Sequence, residues 1–327
     1  MTRSARWLLL AGLLLFIGLL AWHGILAVLA ALSVAGSGLL LIVPFHILPL
    51  VIDAAAMSVL FDRGVPGCSL RDTILTRWTG ESVNSLMPAG QLGGPVLMAR
   101  QLAQRGAPMP SAAAVVTVST TYQLLAQMAF ALLGVVLLGS HHSGVLLLSV
   151  AVLGAIAISF YLTQRRGMFQ KVAAVARRVF GAERMAGFIG QAEILDSHVS
   201  AIYGERQRGA CSFAASLLGW VVGAGEVYLV LLLMKAPISW QTALLLESLG
   251  QAVRGAGFAI PGSLGIQEGG YLLLAPLAGI TADLALALSL AKRAREVLLG
   301  LPGLLYLHAF ERRMSSAVSR TEQRSIL

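Results

Sequence analysis

Polar side chains that could do chemistry gather in two places where the surrounding sequence is apolar. In 247–270, Glu247, Gln251 and Arg254 recur at i, i+4 and i+7, so on a helix they share one face. Gln267 and Glu268 follow on the far side of Pro261-Gly262-Ser263-Leu264-Gly265. Pro removes a helical hydrogen bond and Gly frees the backbone, so a helix entering that turn should break. The stretch 81–100 echoes it: both begin Glu-Ser and both reach Pro, small residues and Leu-Gly. Here Arg77, Glu81, Asn84 and Pro88 fall at i, i+4, i+7 and i+11, leading into Pro88-Ala89-Gly90-Gln91-Leu92-Gly93-Gly94 and closing on Arg100. An arginine offers a planar fork that matches phosphate oxygens. The N-terminus of a half-helix adds partial positive charge. The chemistry these residues suit is anion recognition, of the kind a lipid phosphate headgroup requires.

Other chemistries find no footing. The patterns G-x-S-x-G, H-E-x-x-H and G-x-x-x-x-G-K are absent, so no catalytic residue is assigned. His141-His142 lacks a third ligand nearby and reads as a solvated turn; Cys68 and Cys211 have no zinc or redox spacing. No metal or cofactor is expected. The charge of +9 could suggest nucleic acid in a soluble chain, but here the basic residues flank apolar runs.

The elements that must position these residues are membrane helices. The chain is 57% hydrophobic and 12% charged, about half the charged fraction of a soluble domain, ~25%. Several apolar runs exceed the ~18 residues that mark a membrane helix. We therefore expect one integral membrane domain over 1–327, an all-α polytopic bundle. Spans are expected at about 7–29 (uncleaved), 38–60, 111–139, 144–163, 209–234 and 283–310. Two broken re-entrant elements, about 74–98 and about 240–279, lie between them. Broken backbone at membrane depth survives where it lines a cavity. A pair of such segments in the two halves of a chain points to a transporter-like inverted repeat with its site where they meet; a full passage of the second element would give eight crossings rather than six.

Further polar groups lie within the spans. His46, Pro49 and Asp53 share a face and read as a hydrogen-bonded kink. Thr120, Gln123 and Gln127 read as cross-helix hydrogen bonds. The 209–234 span carries Gly219 and Gly223, a small-xxx-small pair, and Glu226; the last span unusually holds Lys292, Arg293, Arg295 and Glu296. The segment 164–208 is strongly basic, with Val172, Val175, Val179 and Phe180 at helical spacing. It reads as an amphipathic cytoplasmic helix on an anionic leaflet or as a solvated linker. By the excess of Lys and Arg in that segment, at the N-terminus, in 61–77 and 100–105 and in the tail, both termini are cytoplasmic.

The two motif pairs carry a family resemblance. Pro88-Ala89-Gly90-Gln91-Leu92-Gly93-Gly94 with Arg100, and Pro261-Gly262-Ser263-Leu264-Gly265-Ile266-Gln267-Glu268, resemble the flippase-like membrane family that includes the lipid-moving half of lysylphosphatidylglycerol synthases. Arg77-Trp78-x-Gly80-Glu81-Ser82-Val83-Asn84 and Glu247-Ser248-Leu249-Gly250-Gln251-Ala252-Val253-Arg254 look like its hopanoid-biosynthesis-associated branch. The resemblance covers essentially the whole chain. It implies a bacterial inner-membrane protein that binds and translocates an anionic phospholipid or hopanoid-related lipid, with lipid-synthesis enzymes as possible partners. It is not expected to carry over aminoacyl transfer, since the resemblance does not extend to the soluble synthase domain of the bifunctional members. The alternatives are an intramembrane lipid-modifying enzyme using Glu81 or Glu268, and a non-catalytic scaffold. On the translocation reading, Arg254 and Arg293 hold the headgroup, and Glu81 and Glu268 pair with these arginines in the empty site or accept a proton.

Overall fold

The computed structural model describes residues 25–62, 64–87, 93–138, 143–171, 174, 182–256 and 263–325. Among these residues every regular element is a helix, and there are no strands. The expected 7–29 span, His141-His142, the apolar stripe of 172–180 and, at the breaks, Pro88, Gln91, Pro261 and Gly262 lie largely or wholly outside the described residues.

Helix α1 (Ile25–Ala35) passes through a short 3-10 turn (Gly36–Leu41) into α2 (Ile42–Ser58). The first hairpin follows, α3 (Leu70–Leu86) and α4 (Gly93–Gln104). It is longer than the 74–98 read from the apolar pattern. Ser69 Oγ accepts from Asp72 N–H at 3.2 Å and the Asp72 carboxylate takes Ser69 N–H at 3.3 Å. This reciprocal cap starts the helix inside what hydropathy marks as a polar loop. Then come α5 (Met109–Leu137), α6 (Ser143–Arg165), α7 (Ala182–Gly204) and α8 (Arg206–Leu233). The second hairpin is α9 (Trp240–Ala256) and α10 (Ile266–Ala278), ending on left-handed Gly279. Finally α11 (Ala282–Ser325) runs on well past the expected end at 310. Among the described residues, three stretches are long and apolar enough to cross a membrane by length and composition: Leu32–Ser58, Met109–Leu137 and Arg206–Leu233.

The packing has a regular plan. Helix α2 lies along α8; α3, the first arm of the first hairpin, packs on α11; α9, the first arm of the second, packs on α5. Each first arm thus rests on the helix that follows the other hairpin. In a bilayer such contacts draw on van der Waals packing and small residues rather than on exclusion of water. Gly134 of α5 is pressed so close to Ser248 of α9 that an added methyl would collide with its hydroxyl. Gly303 of α11 does the same against Ser82 of α3. The expected Gly219–Gly223 pair divides its roles: Gly219 sits 2.8 Å (from an ideal Cβ) from Asp53 of α2, whereas Gly223 faces open space.

Two apolar clusters fix this frame. One joins Val227 and Leu231 of α8 to Leu246 of α9, Tyr271 of α10 and Leu286 and Leu288 of α11. The other joins Met57 of α2 to Leu102 of α4, Val115 and Val118 of α5 and Val199 of α7.

Candidate functional site

The two hairpins break where the sequence places its Pro/Gly motifs. Helix α3 ends at Leu86 and Met87 is extended; α4 begins at Gly93. Across that break, Asn84 Oδ1 accepts the Gly94 N–H at 2.9 Å, satisfying one of the orphan donors at the start of α4. A side chain at Gly94 would come within 2.6 Å of the Gly80 carbonyl, so the arms of the hairpin close on glycine. In the second hairpin Ser263 and Gly265 have φ of 50° and 77°, a left-handed backbone that glycine adopts freely. The Glu268 carboxylate reaches back to the Gly265 N–H at 2.7 Å and caps α10.

The polar stripes on the two first arms meet at one cavity of about 380 Å³. Both arms are seventeen residues long, and the stripes occupy corresponding places: Arg77, Glu81 and Asn84 on α3, Glu247, Gln251 and Arg254 on α9. Helices α2, α5, α8 and α11 complete the wall with His46 and Asp53, Gln123 and Gln127, Gly223 and Glu226, and Arg295 and Glu296.

Ion pairs bind these elements to one another. Arg77 Nη2 lies 3.2 Å from Asp53 Oδ2, which also accepts from Gln123 Nε2 at 2.6 Å. Lys292 Nζ lies 2.6 Å from Glu247 Oε2, where the Tyr271 hydroxyl also donates at 3.1 Å. Arg254 Nη1 reaches Glu296 Oε1 at 2.6 Å and Gln267 Oε1 at 3.0 Å. Arg293 links Glu296 at 3.0 Å and Glu268 at 3.1 Å. His46 stands between Glu226 and Glu81, 2.9 Å from each, and Arg295 Nε holds Glu226 at 3.2 Å. Charges at this depth are costly and are retained when paired and hydrogen-bonded.

Of the residues singled out from sequence, Arg77, Glu81, Asn84, Glu247, Gln251 and Arg254 line the cavity. Gln267, Glu268 and Arg293 stand behind it, joined to Arg254 and Glu296. Gly93, Gly94 and Gly265 shape the turns. Arg100 is elsewhere: it is exposed on α4, 3.7 Å from Glu311 of α11. The expected pairing holds for Glu268 with Arg293, but Glu81 joins His46 and Arg295 rather than Arg254 or Arg293. His46 and Asp53, read from sequence as a kink, are cavity groups, and their shared face was the available signal. Glu226 and the α11 cluster stood out as charges in apolar spans, but nothing local tells which partner each takes.

This is a helical multi-pass membrane protein with a charge-lined internal cavity. The family model described as "Lysylphosphatidylglycerol synthase TM region" matches residues 9–303, and the chain belongs to that family. Membership ties it to membrane lipid metabolism. No curated protein and no solved structure matches the chain.

Proposed function

We propose that this protein binds the polar headgroup of a membrane lipid in the cavity between its two hairpins and carries that lipid between leaflets of the bacterial inner membrane. The observation that carries the reading is the cavity itself, with Arg77 on the first arm of one hairpin and Arg254 on the first arm of the other both on its wall. The matching arm lengths, and the resting of each first arm on the helix that follows the other hairpin, support an inverted repeat in which the two halves alternate in opening to the two sides. The substrate is an anionic phospholipid or a hopanoid-related lipid of similar headgroup charge, and a role within hopanoid synthesis follows from the hopanoid-branch likeness of the motifs. Both termini are cytoplasmic, and the protein is a transporter rather than an enzyme.

Arg254→Lys and Glu268→Gln test this with least damage to the fold. The first keeps charge but loses the planar fork; the second keeps shape but loses charge. Both variants should reach the membrane in normal amount yet fail to move a fluorescent phosphatidylglycerol across reconstituted vesicles. Full translocation by both would remove these residues from the mechanism. Chemical turnover of lipid by the detergent-solubilised protein would favour an enzyme instead.

A further inference from the structure

Among the described residues, the charges on and just behind the cavity wall sort into four sets. Asp53 has Arg77, and Glu247 has Lys292. Glu268 and Glu296 share Arg254 and Arg293. In these three sets each carboxylate is matched by a lysine or arginine. The fourth set is different: among the described residues Glu81 and Glu226 have Arg295 as their one arginine or lysine within ion-pair distance, and the second positive charge beside them is His46. A histidine supplies that charge only when both ring nitrogens are protonated.

In either protonation state His46 Nε2 has a partner within reach. With both protons present, Nδ1–H donates to Glu226 Oε2 and Nε2–H donates to Glu81 Oε1, each at 2.9 Å. The set is then neutral. With the Nε2 proton gone, that nitrogen becomes an acceptor, and Arg295 Nη1 already stands 3.2 Å away to donate to it. Glu81 then loses its partner on His46 and keeps only the longer 3.6 Å approach of Arg295. Its side chain is 32% exposed, the most open of the carboxylates in these sets, and it faces the cavity. The charged groups that surround His46 are Asp53 on its own helix, Arg77 and Glu81 on α3, Glu226 on α8 and Arg295 on α11, with Lys292 beyond Glu226. Each of these except Glu81 and Glu226 is held by a partner outside the fourth set or is itself the set's arginine.

We propose that His46 and Glu81 form an exchangeable proton site on the cavity wall, and that its occupancy sets which headgroup charge the cavity accepts. The proton comes from cavity water to His46 Nε2 and returns to water when it leaves. Occupied, the wall is neutral and Glu81 is tied back, so the arginines at the cavity can receive an anionic headgroup. Vacated, the wall carries one uncompensated negative charge at Glu81, which repels that headgroup. Proton and anionic headgroup therefore enter and leave together. The coupling to lipid rests on the translocation reading above; the proton site itself does not.

Histidine-¹⁵N NMR of the full chain in lipid vesicles reads the site directly, with His46→Gln assigning the signal. His46 should show two protonated ring nitrogens at neutral pH and a neutral ring bearing its proton on Nδ1 at alkaline pH. In Glu81→Gln the ring should already be neutral at the pH where the unmodified protein carries both protons. A ring that stays neutral throughout, or one that behaves identically in Glu81→Gln, overturns the site. Translocation of fluorescent phosphatidylglycerol under an imposed pH gradient reads the coupling. The unmodified protein should move the lipid faster from the acid side, and Glu81→Gln should ignore the gradient. An unmodified protein that moves lipid at equal rates with and without the gradient overturns the coupling. One that moves no lipid overturns the coupling together with translocation, while the NMR titration still decides the proton site.

Discussion

At the scale of single residues, the interior is held by charges that each have a named partner. The Lys292–Glu247 pair is buried on both sides and joins α11 to α9. Removing one member leaves the other uncompensated, which costs about 3–5 kcal/mol. Lys292→Met should therefore lower the thermal unfolding temperature in detergent strongly, and Lys292→Met with Glu247→Gln should recover much of the loss. Equal losses in the single and double variants would show that the pair is not the unit of stability. Much of this chemistry could be read from sequence: Glu247, Gln251 and Arg254 advertise one face by their spacing, and four charged residues within five positions mark α11 as facing inward. What could not be read is the pairing. His46 lies 249 residues from Arg295 and 180 from Glu226, and no local pattern relates positions that far apart. A histidine near a proline in an apolar helix reads as part of a kink until the helices that carry its carboxylates are packed beside it.

At the scale of elements, the breaks are the legible feature, because they follow from backbone chemistry. Pro and Gly clustered together disfavour a continuing helix, so the hairpins could be located without knowing what they pack against, although single prolines such as Pro49 and Pro302 stay inside helices. Their extent was less legible: the Ser69/Asp72 cap that starts α3 sits in a polar stretch, where hydropathy sees only a loop. The second break depends on Gly265, whose φ of 77° is unfavourable for any residue with a Cβ. Gly265→Ala should cost about 1–2 kcal/mol of stability, by the strain of one left-handed residue. Gly154→Ala in α6 meets open space and should be neutral or gain up to about 1 kcal/mol in helix propensity. Thermal unfolding of the two purified variants compares them directly; equal stability would mean that the turn tolerates a side chain and is not set by glycine.

At the scale of the whole molecule, the distribution of Lys and Arg predicts that the tail is cytoplasmic and that the turn before α6 faces outside. A membrane-impermeant thiol reagent added to intact cells should modify a cysteine at Ser143 and leave one at Ser316 untouched; the reverse pattern would invert the orientation. The central claim is that a lipid headgroup passes through the cavity between the hairpins, and Gly223 allows it to be tested without disturbing a charge. Gly223 is on the cavity wall, and a side chain built there meets nothing within 4 Å. Gly223→Cys should therefore fold, and a bulky maleimide on it should fill the passage. The two native cysteines are replaced by serine beforehand; burial and the nearby Asp72 push the Cys68 thiol up to about 11, so it would otherwise react slowly and blur the endpoint. Translocation of fluorescent phosphatidylglycerol is then followed in reconstituted vesicles before and after labelling. The account predicts normal translocation by the unlabelled variant and the protein-free rate once Gly223→Cys is labelled; translocation that continues unchanged past the plugged cavity would contradict it.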